Sequence, residues 1–122
     1  SLWSAKLTER AVEVFEALQA AGGLPGRRAR FYLGQIALET GRWADAQRLI
    51  GASLPDDAEP DFGIPKERMH AAMAMAWQKG DRPDEARESW QKVLKLAPGD
   101  AQAQAALRDL NRRFPPKRSK KR

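Results

Sequence analysis

The sequence predicts an all-α protein, a stack of antiparallel helix pairs with about six helices in all. Three observations lead there. Alanine is abundant while Val, Ile and Thr are sparse, and alanine loses no side-chain entropy in a helix whereas β-branched residues do. Apolar residues recur at three- and four-residue steps in one segment after another. Glycine and proline punctuate these segments at short intervals, which suits antiparallel neighbours.

The first segment, about 4–21, carries Leu7, Ala11, Val14, Phe15 and Leu18 at helical spacing, with charges on the other face. Gly22-Gly23-Leu24-Pro25-Gly26 stops it, because glycine permits a left-handed C-terminal turn and proline cannot continue a helix. A second helix is expected over 27–40, with Ala29, Leu33, Ile36 and Ala37 on its apolar side, ended by Gly41. A third runs over 43–50 with Trp43, Ala46, Leu49 and Ile50. The stretch 51–64 reads as a loop, with Pro55 and Pro60 among four carboxylates. Pro65 suits the first position of a fourth helix reaching Lys79, with Met69, Met73, Ala76 and Trp77 inward. Pro83 opens a fifth, to Leu96, with Ala86, Trp90, Val93 and Leu94 inward. Asp100 is placed to cap a sixth, 101–113, by accepting from its unpaired backbone donors. Pro115 and Pro116 end the ordered part.

The 122 residues make one domain, 1–114, and a basic tail, 115–122. The net charge of +6 belongs to that tail. Lys117, Arg118, Lys120, Lys121 and Arg122 are five of the 22 basic residues, leaving 17 against 16 acidic ones. No apolar run approaches the roughly 18 residues of a membrane span. Ser1-Leu2-Trp3 does not open a signal peptide, and a chain beginning with Ser reads as cut from something longer. The Ala-, Arg- and Trp-rich style is that of a bacterial protein, and the lack of cysteine fits cytoplasm and periplasm alike.

The helices repeat. Ala11, Ala46 and Ala86 lie 35 and 40 residues apart, and four residues after each stands a large apolar residue, Phe15, Ile50 or Trp90. Twelve residues before the later two alanines stands a small residue, Gly34 or Ala74, each preceded by a large one, Leu33 or Met73. The physical logic is that a small residue at a helix crossing lets backbones approach, and one pair cannot bury its apolar face without a neighbour. An irregular helical bundle is the alternative architecture.

The run Met73-Ala74, Trp77, Ala86, Trp90 and Pro98 resembles the tetratricopeptide repeat, as does Leu96-Ala97-Pro98-Gly99-Asp100 at its end. Leu33-Gly34, Ala46 and Ile50 resemble it less fully, with Ala37 where an aromatic is usual. The resemblance covers about 5–113. It implies a right-handed superhelical stack with two full repeats, about 27–60 and 67–100, between a partial N-terminal helix and a C-terminal capping helix. It also implies a partner protein, held as a peptide or helix along the concave face formed by the first helix of each pair. Carried over, that face holds Arg28, Phe31, Tyr32, Gln35 and Leu38, then Arg68, Ala71, Ala72, Met75 and Gln78. Gln35 and Met75 stand where chaperone-binding members carry asparagines, so chaperone C-termini are not the expected ligand.

Catalysis is poorly supplied, and no catalytic residue, cofactor or metal site is expected. His70 is the single histidine and has no sequence-evident nucleophile or orienting group, so it reads as a packed helix residue. The acidic stretch from Asp57 to Gly63 departs from a calcium loop, with Phe62 where glycine is needed and Arg68 in place of the bidentate carboxylate. Gly22–Gly26 follows a helix, not a strand, and so lacks the setting of a nucleotide fingerprint. The expectation is therefore a scaffold in a larger assembly. The alternative is nucleic-acid or anionic-surface binding through the tail, whose charges attract phosphates but which has no aromatic for base stacking.

Overall fold

The computed structural model describes residues 2–56, 59 and 63–115, with side chains from Lys6 onward. Those residues form six helices and no strand: α1 Leu2–Ala21, α2 Gly23–Glu39, α3 Trp43–Ser53, α4 Lys66–Lys79, α5 Pro83–Leu96 and α6 Ala101–Arg113. Each helix packs on the next, and α2 also touches α4. The basic tail beyond Pro115 lies outside the described residues.

Two boundaries differ from expectation. Helix α2 begins at Gly23, with its first bond running from the Gly26 N–H to the Gly22 carbonyl. Pro25 is tolerated because the first turn of a helix has no use for its missing N–H. Gly26 is needed there for another reason, since a Cβ on it would stand 2.9 Å from the Leu18 carbonyl of α1. Helix α3 continues past Ile50 to Ser53, whose hydroxyl donates to the Ile50 carbonyl.

The turns after α2 and α4 are copies of one another. Arg42 N–H bonds the Ala37 carbonyl and Gly41 N–H the Leu38 carbonyl; forty residues on, Arg82 bonds Trp77 and Asp81 bonds Gln78. This paired closure requires a left-handed residue, supplied by Gly41 at φ 80° and by Asp81 at φ 61°. The same turn thus delivers α3 onto α2 and α5 onto α4.

The core is two clusters that share α4. One joins Phe31 and Ala37 of α2, Ala46 and Ile50 of α3, Ile64, and Met69, Met73 and Ala76 of α4. The other joins Ala74 of α4 to Ala86, Trp90 and Val93 of α5 and Ala103 and Leu110 of α6. The predicted crossing is present at Gly34, where a Cβ would lie 2.5 Å from Ile50 Cγ1 and 3.1 Å from its backbone nitrogen. The apolar side of α1, by contrast, is divided. Phe15 stacks on Tyr32 of α2 with ring centroids 5.4 Å apart, while Leu7, Val14 and Leu18 are exposed.

Candidate partner-binding face

Helices α2 and α4 end in the same turn, forty residues apart, so residues forty apart hold corresponding positions on them. Arg28 answers to Arg68, Gln35 to Met75 and Leu38 to Gln78. Arg28 and Arg68 are both exposed, and among the described residues neither forms an ion pair. Gln35, Leu38, Ala71 and Met75 are half-buried. Leu38 leans on the first cluster, Ala71 and Met75 on the second.

Three members of the expected face have other work. Phe31 is 0% exposed and sits in the first cluster, so it holds α2 against α4 and cannot meet a partner. Ile64 and Met69 belong to the same buried cluster, so the stripe position that spacing gives Phe31 is taken up by the core. Tyr32 is fixed between Phe15 and the edge of Phe31, whose ring centroid is 5.7 Å away. Gln78 accepts from the Trp90 indole N–H at 3.0 Å, satisfying the polar atom of a buried ring. Ala72 is also buried.

The described hollows do not gather the stripe into one pocket. Arg28 and Tyr32 line a hollow of about 180 Å³ between α1 and α2, with Phe15, Leu18, Pro25 and Ala29. Gln78 lines another of about 150 Å³ beside Leu110 of α6 and Phe114 just after it. Arg68 is exposed and Gln35, Leu38, Ala71 and Met75 are half-buried outside these hollows, which suits an extended guest better than a small molecule. His70 is half-buried on α4, in a wide hollow with Met73, Trp77 and Lys92. Among the described residues no group of three or more His, Asp or Glu side chains could hold a metal ion, and no helix is long and apolar enough to cross a membrane.

One end of the face is fixed by a clamp that the sequence did not announce. Arg27 binds Glu59 in a fork, at 2.8 and 2.9 Å, and also donates to the Ser53 and Leu54 carbonyls at 3.1 and 2.8 Å. The loop after α3 is thereby tied to the start of α2. The Arg27 bonds, followed by the Asp56 N–H, hold the Glu59 carboxyl down to about 2. Arg28, next along the helix, lies against Gly63.

A second unannounced device holds the stack in register. Gln47 on α3 donates to the Ala76 carbonyl of α4 at 3.1 Å. Its equivalent forty residues on, Arg87, is buried on α5 and donates to Asn111 at 2.8 Å and to the Phe114 carbonyl at the end of α6. Both latch a second helix to the last turn of the helix that follows. The signal for them was the repeat register itself, which carries a polar residue one place after each core alanine of α3 and α5.

Residues 72–100, from within α4 through α5 to the Asp100 cap that precedes α6, match the family model described as tetratricopeptide repeat. No curated protein and no solved structure matches the chain.

Proposed function

Because this chain carries a repeat of the tetratricopeptide family, a protein-interaction module, at residues 72–100, we propose that it is a scaffold holding a peptide or helix of another protein against α2 and α4. In this reading 27–60 and 67–100 are two full repeats, with α1 as the second half of a further unit and α6 as the cap. The binding surface is the concave side of a superhelix, and the chain works within a larger assembly rather than on a substrate.

The observation that carries this reading is the contact between α2 and α4, which aligns equivalent positions across two units. Arg28 and Arg68 present charge for carboxylates, Leu38 and Met75 present apolar surface, and Ala71 leaves room for a guest side chain. Phe31 and Gln78 support the face from beneath.

Affinity capture from a lysate of the source organism tests it. Wild type is compared with Arg28→Glu/Arg68→Glu and with a chain ending at residue 114. Both substituted positions are exposed, so the variant keeps its helical circular dichroism. The same partner is expected on wild type and on the shortened chain, and roughly tenfold less of it on the charge-reversed variant. Capture that survives charge reversal and is lost with the tail sinks the proposal.

A further inference from the structure

The junction of α1 on α2 lacks the latch that closes the α3–α4 and α5–α6 junctions. Gln47 on α3 donates to the Ala76 carbonyl, and Arg87 on α5 donates to the Phe114 carbonyl. The corresponding residue of α1 is Val12, which has nothing to donate. The receiving helix differs to match. A Cβ on Gly80 would stand 2.4 Å from the Gln47 amide nitrogen, so the latch requires glycine there. In α2 that place is held by Thr40, whose hydroxyl donates to the Ile36 carbonyl at 2.8 Å. Ile36 corresponds to Ala76, so α2 satisfies from within the carbonyl that α4 leaves to Gln47. Trp43, whose own Cβ lies 3.5 Å from the same point above Gly80, is replaced in α1 by Thr8.

What remains is an open hollow of about 390 Å³ between α1 and α2. Val12 and Ile36 line it with apolar surface, and Thr8, Glu9, Glu13 and Thr40 line the rest with polar groups. Both carboxylates are exposed, and among the described residues neither forms an ion pair. They stand one turn apart on α1, where like charges repel. Arg42 also reaches the hollow, but Asp45 pairs with it at 3.3 Å. The uncompensated charge is therefore negative. This side of a second helix stays open inside a stack. Positions corresponding to Glu9 and Glu13 are Ala44 and Arg48 on α3 and Asp84 and Glu88 on α5. All four are exposed, although α3 and α5 each have a helix packed before and after them.

We propose that this hollow is a second docking site, which takes a basic segment of another protein. A lysine or arginine of that segment lays its methylene stem along Val12 and Ile36 and carries its cation to Glu9 and Glu13. Apolar surface alone would not select such a guest; the two carboxylates, left without a counter-ion by the fold, do. The hollow shares no residue with the α2 and α4 face and leaves that face accessible.

Amide NMR shifts of the full chain test it, titrated with a peptide of about eight residues in which alanine and arginine alternate. Saturable shifts are expected at Val12, Ile36 and Thr40, and none with the alanine–glutamate counterpart. Glu9→Gln/Glu13→Gln is expected to weaken binding at least about fivefold, and added salt to weaken it on wild type. Val12→Gln/Thr40→Gly transplants the Gln47–Gly80 latch and fills the hollow while keeping both carboxylates. It too is expected to lose at least about fivefold, with unchanged helical circular dichroism. No saturation by about 2 mM, or an affinity that survives both variants, overturns the proposal. So does a chain ending at residue 114 that binds the peptide about fivefold more tightly than the full chain, which would make the basic tail the occupant.

Discussion

Single positions decide how closely the helices approach and which turns can form. Gly34 lies where α2 crosses α3, and an added methyl would meet both the side chain and the backbone of buried Ile50. Ile50 has no room to retreat, so Gly34→Ala is expected to lower stability by about 1–3 kcal/mol, despite the better helix propensity of alanine. A urea titration measures it, and an unchanged or raised midpoint would mean that the crossing is looser than described. Asp81 presents the opposite case, a residue with a Cβ held at φ 61° in a turn whose twin uses Gly41. Asp81→Gly is expected to raise stability by about 0.5–1 kcal/mol, read from the same titration, because it relieves the left-handed strain. Gly34 and its partner Ile50 were legible in the sequence as a small residue and a large one in repeating register. The burial of Phe31 was not, since helical spacing gives the face of a residue but not which neighbour arrives to cover it.

Among the elements, the helices themselves were the most readable. Their apolar spacing, the Pro65 and Pro83 starts and the Asp100 cap, which accepts from the Ala103 N–H at 2.8 Å, all act within a few residues. The start of α2 was misread because Pro25 within a glycine-rich run looks like a stop, although a first turn accommodates it. The loop after α3 was recognised as a loop but not as a tethered one, because the Arg27–Glu59 fork joins residues 32 apart. That fork has a pH signature. The Glu59 carboxyl lies at about 2 in the folded chain against an ordinary 4.5, so its contribution is complete above 4.5 and fades as pH falls toward 2. Wild type should therefore exceed Glu59→Gln in urea midpoint at pH 6, with the gap narrowing steadily as pH falls from 4.5 toward 2. A gap independent of pH would show that the carboxylate charge is not what holds the loop.

At the scale of the molecule, stability comes from sharing. Helix α4 places Met69, Met73 and Ala76 in one cluster and Ala74 in the next, so neither pair is a free-standing unit. Gln47 and Arg87 repeat the same latch between units, and the paired turns repeat the same entry angle. The period of the sequence foretold this sharing, whereas the exposure of Leu7, Val14 and Leu18 on α1 does not follow from their apolar spacing. What the stack leaves over is the side of α2 and α4 that bears Arg28, Leu38, Arg68 and Met75. Amide hydrogen exchange on the scaffold with its captured partner bound tests that assignment most directly. The account predicts slowed exchange in α2 and α4, with α3 and α5 unchanged. Protection confined to α3 and α5, or found only beyond residue 114, would contradict it.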